Sequence, residues 1–467
     1  VGLHNVATER LSTMASPPCL VHYRIFWPLV LCVWIPAGGS FVCSDAGPDY
    51  CDGSPGQPAV SFAEAISNGT SGCKAYAPPL PSGANFTKLR ARLVDVLFGS
   101  TGGALPTRRH PDYVSRLNHT QVFGNCLCAT LGHCRPEECA RPTDVTKLVW
   151  TLSATVNASF NLTLNATGFL SLNTSGIAPD NEPPLGPPIW PAAPEPARGP
   201  GETLVIFHNG HESPSGQAGC DADHDGIIDW LNRLGFDTLH LQMPLYQCNA
   251  IGGVRGHQWF QQFEAQGVPV MRFFLEPVIL AINYATEVLG YRHVVMAGLS
   301  GGGWTTTLVA AIDPRISLSF PVAGSIPCDF RHTSWDFEQY CDSRWAMVAN
   351  YTSLYTLAAL EPGRFSVQIL HEADPCCFHG CHRHARIRAY NAWVQGQVGG
   401  RFATAVTSGN IHEVNERDKV IIASMTDKLT SGQGLSPADL AAIPFNMVKR
   451  PDPAPHPSRS STQPRTT

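Results

Sequence analysis

The chain has 467 residues, with 32 Lys and Arg against 37 Asp and Glu and a formal net charge of −5. This balance argues against a nucleic-acid-binding protein, which would normally carry a basic excess. Only 15% of the residues are charged, and the chain has 42 Gly and 39 Pro, a composition that argues against a coiled coil or a helical bundle. Because 43% of the residues are hydrophobic, the chain is not expected to be disordered throughout.

The first predicted element, within residues 1–40, is a secretory signal peptide. His22 and Arg24 precede the apolar run Ile25–Ile35, and small residues follow it at positions 37–40. This order is typical of a signal peptide, and translation is then expected to start at Met14. An uncleaved membrane anchor is the alternative, although a helix that spans a bilayer needs about 20 residues and this run is shorter. We expect a secreted or extracellular protein with no membrane span in the mature chain.

Residues 41–145 form a cysteine-rich and turn-rich region with one predicted helix, Asn85–Phe98. The chain has 16 Cys, a number that favours an oxidising compartment and a disulfide framework. Two of them fall in the signal region, and the other 14 divide into seven before and seven after a proline-rich connector. Full oxidation would therefore require at least one bridge between the two halves. Cys328 with Cys341 and Cys220 with Cys248 are candidate local pairs.

Acceptor sequons for N-linked glycans support a secretory route. Most of them lie in the amino-terminal half of the chain. The eight positions are Asn68, Asn85, Asn118, Asn157, Asn161, Asn165, Asn173 and Asn350. Unused sequons in a region rich in Ser and Thr are the alternative interpretation.

Residues 146–177 alternate apolar with Ser, Thr and Asn, which predicts a β-meander with one wet face. We place its turn at Asn165–Gly168, and the meander could supply the first strands of the domain that follows. Residues 178–200 form a proline-rich connector. Residues 450–467 are predicted to be a disordered tail.

Residues 201–449 alternate short β-branched runs with helical segments. This pattern predicts an α/β fold with a mostly parallel sheet and helices on both faces. The predicted strands are Leu204–Phe207, Thr238–Leu241, His293–Ala297, Ile316–Val322, Ser366–Leu370 and Phe402–Val406. The predicted helices are Ile227–Leu234, Leu275–Leu289, Gly303–Ile312, His384–Val394 and Asn415–Leu429.

Within this domain, Gly298-Leu-Ser300-Gly-Gly302 stands directly between a predicted strand and a predicted helix. This is the G-x-S-x-G motif in the strand–turn–helix context that it requires, with Ser300 as the candidate nucleophile. The alternative is a glycine-rich structural turn. With this motif and context, the segment of about Thr203–Leu429 resembles the α/β-hydrolases, and secreted serine esterases among them.

The resemblance implies an acid and then a histidine after the nucleophile in chain order. Asp374 follows the strand of residues 366–370 and is the candidate acid, which would orient the imidazole and stabilise its charged form. Glu372 is an alternative, as is Asp336 or Glu338. His412 follows the last predicted strand and is the candidate general base. The rival histidines His379, His382 and His384 crowd the loop of Asp374.

An oxyanion hole of this superfamily takes one backbone N–H from the residue after the nucleophile, here Gly301. The segment His208-Asn-Gly-His211 follows the strand of residues 204–207 and resembles the His-Gly loops of these hydrolases. Its residues Asn209, Gly210 and His211 are therefore candidates for the second N–H donor.

Two segments show metal-like spacing. The first segment matches the start of a calcium loop, with Asp221, Asp223 and Asp225 as candidate ligands. Asn232 stands at the position where a calcium loop has a bidentate Glu. Helix capping or solvated acidic residues are therefore the alternative to a calcium site. A cluster near Asp374 could be taken as a zinc site, although disulfides are the simpler account in an oxidising compartment: Cys376, Cys377, His379, Cys381, His382 and His384. No cofactor is required.

These inferences predict a secreted, glycosylated serine hydrolase that cleaves a carboxylic ester through an acyl-enzyme on Ser300. Its expected partner is a small-molecule or polymer-borne ester. A prolyl-oligopeptidase-like peptidase is the alternative within the class, although the amino-terminal region is too short for the β-propeller of those enzymes and shows no repeat. A catalytically inactive binding module is the alternative outside it.

Overall fold

The computed structural model describes residues 85–117, 144–172, 202–211, 227–254, 256–328, 336–340, 343–378, 384–409 and 411–445. The predicted signal peptide, the connector, the tail and the segment of Asp221, Asp223 and Asp225 lie outside these residues, as does most of the cysteine-rich region. Among the described residues, no helix combines the length and apolarity needed to cross a membrane.

A single sheet organises the described residues. Its strands are β1 (Tyr113–Leu117), β2 (Asp144–Asn157), β3 (Phe160–Leu172), β4 (Thr203–His208), β5 (Asp237–Leu241), β6 (His293–Leu299), β7 (Ile316–Val322), β8 (Phe365–His371) and β9 (Phe402–Thr407). Their spatial order is β1-β2-β3-β5-β4-β6-β7-β8-β9. The strands β5, β4, β6, β7, β8 and β9 run parallel to their neighbours. The strands β1, β2 and β3 join them through antiparallel pairs. The predicted mostly parallel α/β sheet is confirmed.

Helices connect the parallel strands, and others precede β1 or follow β9. They are α1 (Phe86–Phe98), α2 (Ile227–Arg233), α3 (Gln261–Glu264), α4 (Arg272–Asn283), α5 (Gly301–Ile312), α6 (Tyr351–Ala358), α7 (His384–Val398), α8 (Glu416–Thr430) and α9 (Pro437–Ala441). A π-turn, Tyr284–Val288, continues α4 and accounts for the rest of the helix predicted to Leu289.

The hairpin of β2 and β3 was predicted with the wrong turn. The chain reverses at Asn157–Phe160, where the Asn157 side chain accepts a hydrogen bond from the Ser159 N–H at 3.0 Å. Asn165–Gly168 instead lies within β3, and Asn165 is paired with Thr151. Gly168 fits a crowded position there, because a Cβ atom would lie 2.9 Å from Leu241 Cδ2 and 3.1 Å from Trp150 Cζ3 on the neighbouring strands. A glycine in a strand often marks such close approach rather than a turn.

The sheet is buried most completely where the site forms. Every residue of β4, β8 and β9 is buried, and so is every residue of α5. Strands covered on both faces carry continuous apolar runs instead of alternation, which is why these segments lack a polar face. Because β4, β6 and β8 run parallel, their carboxyl ends lie at the same edge of the sheet.

Candidate active site

Ser300 occupies a strained turn between β6 and α5. Its φ of 56° and ψ of −122° are unusual for a residue with a side chain. The turn is held by a hydrogen bond of 3.0 Å from the Ser300 N–H to the Val322 carbonyl. Gly302 allows the close approach, since a Cβ atom there would lie 1.9 Å from the His208 carbonyl oxygen. This sharp strand–turn–helix geometry is the one that a nucleophile in a G-x-S-x-G motif requires.

Asp374 and His412 are brought together across the ends of β8 and β9. The His412 Nδ1 lies 3.1 Å and 3.0 Å from the two carboxylate oxygens of Asp374. Asp374 is fully buried, whereas the His412 side chain is 18% exposed. A buried carboxylate on Nδ1 leaves Nε2 as the nitrogen that can exchange a proton with a nucleophile.

The Asp374 carboxylate is held in its ionised form. Burial acts to raise its pKa, but the hydrogen bond and charge of His412 outweigh burial and hold the pKa below its usual value. The backbone N–H groups of Cys376 and Cys377 also donate to Asp374 Oδ1, at 2.7 Å and 3.2 Å. The sulfur atoms of these two cysteines lie at bonding distance in the turn that follows the acid.

Ser300 and His412 are not joined by a hydrogen bond in this structure. His412 Nε2 is buried and has no hydrogen-bond partner among the described residues. Catalytic hydrogen bonds are often long or poorly aligned before substrate binds. The structure therefore brings together the acid and the base of the predicted triad and presents the serine on the turn at the same edge of the sheet.

The backbone hydrogen bonds show which of the candidate oxyanion donors already have a partner. The Asn209 N–H donates to the Leu241 carbonyl at 3.0 Å and is therefore engaged. Gly301 opens α5, where a first-turn N–H has no partner within the helix. A Cβ atom on Gly301 would lie 2.6 Å from the His211 ring, so the Gly210–His211 segment lies directly against the nucleophile turn. Gly210 and His211 thus remain the candidates for the second donor.

A second histidine–carboxylate pair holds the segments that carry the acid and the base. His371 ends β8, and its Nε2 lies 2.8 Å from the Oδ2 of Asp418, in the first turn of α8. The other oxygen of Asp418 accepts from Thr407 Oγ1 at 2.8 Å. Burial acts to lower the pKa of His371, but Asp418 outweighs it and raises the pKa above its ordinary value. This pair was not predicted from the sequence.

Replacing Asp418 by asparagine should destabilise the fold in a pH-dependent way. Breaking a buried pair by removing one partner typically costs about 3–5 kcal/mol. Because the folded pKa of His371 is raised, its contribution is complete below the unfolded value of about 6.5 and is lost as pH rises through the folded value. The difference in Tm between wild type and variant should therefore be larger at low pH than at high pH, as measured by thermal unfolding.

Glu416 is the matched control, since it lies in the same helical turn and pairs with Lys419 with its side chain 64% exposed. Glu416→Gln should change stability by less than about 1 kcal/mol at either pH. An equal loss of Tm in Asp418→Asn at all pH values would contradict the pairing of His371 with Asp418.

A third cluster lies beside Gly301 and includes a residue that the sequence did not single out, His257. Its Nδ1 is 2.8 Å from Glu338 Oε2 and 3.0 Å from the Nε2 of His211. Burial acts to raise the pKa of Glu338, but the two histidines outweigh burial and hold the pKa well below its usual range. Glu338 is thus placed with His211 and His257, while Asp374 is placed with His412.

Several other predicted positions can be located. Asn85, Asn157, Asn161 and Asn165 are exposed, and Asn350 is partly buried. Asn68, Asn118 and Asn173 lie outside the described residues, as do His379, Cys381 and His382. His384 begins α7. Asn232, at the twelfth position of the calcium-like spacing, donates to Ser171 Oγ at 2.8 Å and accepts from Thr238, which engages it in the core.

The sheet, the covering helices and the Ser300 turn together define an α/β-hydrolase fold. No protein-family model and no curated protein matches the chain. Solved structures with a similar fold include the esterase Pf2001 of Pyrococcus furiosus, at 11% identity over 64% of this chain and 95% of that one, with a TM-score of 0.38.

Two further structures are an acetyl xylan esterase from Paenibacillus sp. R4 and Est1E from Butyrivibrio proteoclasticus. The first is 10% identical over 74% of this chain and 95% of that one, with a TM-score of 0.42. The second is 13% identical over 61% of this chain and 98% of that one, with a TM-score of 0.32. At these values the likeness concerns the general fold alone.

Proposed function

We propose that the protein is a serine hydrolase that cleaves carboxylic esters through an acyl-enzyme on Ser300. The observation that carries the proposal is the pairing of buried Asp374 with His412 Nδ1, at the sheet edge that also presents Ser300 on a strained turn. Nucleophile, acid and base follow the chain order that the resemblance implies. An ionised acid, a histidine whose Nε2 is unengaged and a serine held in a sharp turn are the parts that acyl transfer needs.

In the proposed reaction, Ser300 Oγ bonds to the ester carbonyl carbon while its proton passes to His412 Nε2. The resulting oxyanion accepts hydrogen bonds from the N–H of Gly301 and from that of Gly210 or His211. Collapse breaks the bond between the carbonyl carbon and the alcohol oxygen, which takes the proton from His412. Water then attacks the acyl-enzyme by the same route, which releases the acid and restores Ser300. Asp374 stabilises the charged imidazole in both halves.

The hairpin of β2 and β3 accounts for much of the described chain before β4 without a β-propeller, which supports an ester over a prolyl peptide. It adds two strands to the catalytic sheet itself, with β3 paired to β5. Prolyl-oligopeptidase-like enzymes carry a β-propeller of several blades, and no such element occurs among the described residues.

Secretion and glycosylation remain part of the proposal. The exposure of Asn157, Asn161 and Asn165 supports glycosylation at these positions.

The full-length protein expressed in a secretory host should react with a fluorophosphonate probe and hydrolyse short acyl esters. We expect kcat/KM for the best p-nitrophenyl ester to exceed that for a prolyl-peptide anilide by about 100-fold or more, which corresponds to roughly 2.7 kcal/mol. Faster cleavage of the peptide would move the protein to the peptidase alternative. A folded protein that neither labels nor hydrolyses would be a binding module.

A further inference from the structure

The cluster of His211, His257 and Glu338 is built from three separate loops beside the nucleophile turn. His211 follows β4, His257 lies in a 3₁₀ turn after β5, and Glu338 lies in a 3₁₀ turn after β7. His257 and Glu338 are almost completely buried, and His211 is 15% exposed. The proposed acyl transfer uses none of these three side chains as acid, base or nucleophile.

When His257 is neutral, the cluster presents three electron-pair donors that face one another. His257 Nε2 lies 2.8 Å from the Pro244 carbonyl oxygen. Because a carbonyl oxygen only accepts, this nitrogen carries the proton of a neutral His257. The lone pair of His257 Nδ1 then points toward Glu338 Oε2 and His211 Nε2, at 2.8 Å and 3.0 Å. His211 Nε2 is also 3.3 Å from Glu338 Oε1.

We propose that His211 Nε2, His257 Nδ1 and the Glu338 carboxylate bind a divalent transition-metal ion, with zinc as the best match. A tetrahedral zinc with bonds of about 2.0–2.1 Å keeps its ligand atoms about 3.3 Å apart. The three contacts of 2.8, 3.0 and 3.3 Å come close to that spacing. Two imidazoles and one carboxylate are ligands that zinc accepts, and they leave one position for a further group.

The surroundings of the cluster have the arrangement expected around a metal. Metal-bound histidines usually direct the second ring nitrogen at a carbonyl or a carboxylate. His257 Nε2 meets the Pro244 carbonyl, and the His211 Nδ1 lies 3.7 Å from Asp336 Oδ2. Gln339 Nε2 donates to Glu338 Oε1 at 2.9 Å. His257 and Glu338 are each oriented by a second hydrogen bond, and Asp336 lies within reach of the second nitrogen of His211.

Binding a metal would connect the three loops next to Ser300. The His211 ring lies against Gly301, so an ion on its Nε2 would fix the segment that supplies the second oxyanion donor. Phe274 and Tyr246 surround His257, with ring centroids 4.7 Å and 5.1 Å away. This packing lowers the local polarity and would strengthen the attraction between the ion and the carboxylate. The inference does not rest on the proposed hydrolase activity.

The test is metal content and cobalt spectroscopy on the full-length protein. Purified protein should contain about one zinc per chain by mass spectrometry of the metal. Removal with dipicolinate should lower the Tm, because the ion stabilises only the folded state. Adding cobalt to the stripped protein should give the intense visible bands of a low-coordinate site and restore the Tm.

Glu338→Gln and His257→Gln should each weaken cobalt binding by at least about 100-fold. His110→Gln, a change at an exposed histidine, should leave it unchanged. The Ser300→Ala variant should contain as much zinc as the wild-type protein, which separates this inference from the hydrolase proposal. A folded wild-type protein that contains no metal and takes up no cobalt would overturn the site. The cluster would then be a buried ion pair of protonated His257 and Glu338. Unchanged binding in both Gln variants would also overturn it.

Discussion

Replacing Ser300 by alanine should lower kcat for the best ester substrate by about 10⁴- to 10⁶-fold and abolish fluorophosphonate labelling. The Oγ atom is the proposed nucleophile, and no other group in the turn can form the acyl bond. Alanine retains Cβ and adopts the φ of 56° at a cost similar to that of serine, so the fold should persist. The remaining rate would come from the oxyanion donors and from substrate binding alone.

The matched control for this prediction is Ser319→Ala in β7. Ser319 is also buried and donates to Ser366 Oγ at 2.9 Å, so its loss tests burial without touching the nucleophile turn. It should retain probe labelling and kcat within a few-fold. If Ser300→Ala still labels at the wild-type rate while remaining folded, the nucleophile is a different residue and the proposed mechanism fails.

Asp374→Asn should lower kcat by about 10⁴-fold with a much smaller effect on KM. An amide in place of the carboxylate no longer stabilises the charged imidazole, and it can hold His412 in the wrong tautomer. The structure makes the effect specific, because both carboxylate oxygens contact His412 Nδ1 and one also accepts from the Cys376 N–H. Steady-state kinetics on the ester series measures this change.

Glu372→Gln is the control, because Glu372 lies two residues before Asp374 and was the nearest rival for the acid. Its backbone N–H bonds to the Thr407 carbonyl, and its side chain is partly exposed. We expect an unchanged kcat for this variant. A loss confined to Glu372→Gln, with Asp374→Asn near wild type, would transfer the role of the acid.

The local pattern of residue types was sufficient to predict most of the sheet and the turn at Ser300. Strand Ile316–Val322 was predicted with its observed bounds, and the other parallel strands differ by one or two residues at their ends. The apolar runs are read correctly because both faces are covered. The motif around Ser300 is equally local, since the required glycines and the strained residue are adjacent in the chain.

The turn at Asn165–Gly168 shows where local pattern fails. Asn, Thr and Gly together favour a turn, yet this segment lies in β3. Gly168 is explained by Leu241 and Trp150, which approach it from neighbouring strands. Such contacts are invisible to an argument from residue types.

The amino-acid sequence by itself determined the fold class and the Ser300 turn, because each depends on short-range pattern. The candidates Asp374 and His412 followed from the α/β-hydrolase resemblance together with their positions after predicted strands. Only the tertiary structure decided that Asp374 pairs with His412 while Glu338 pairs with His211 and His257. Strand order places the ends of distant segments at one edge of the sheet, and burial makes each contact there specific. Residues separated by tens of positions carry no local signal of that proximity, and His257 was missed for this reason.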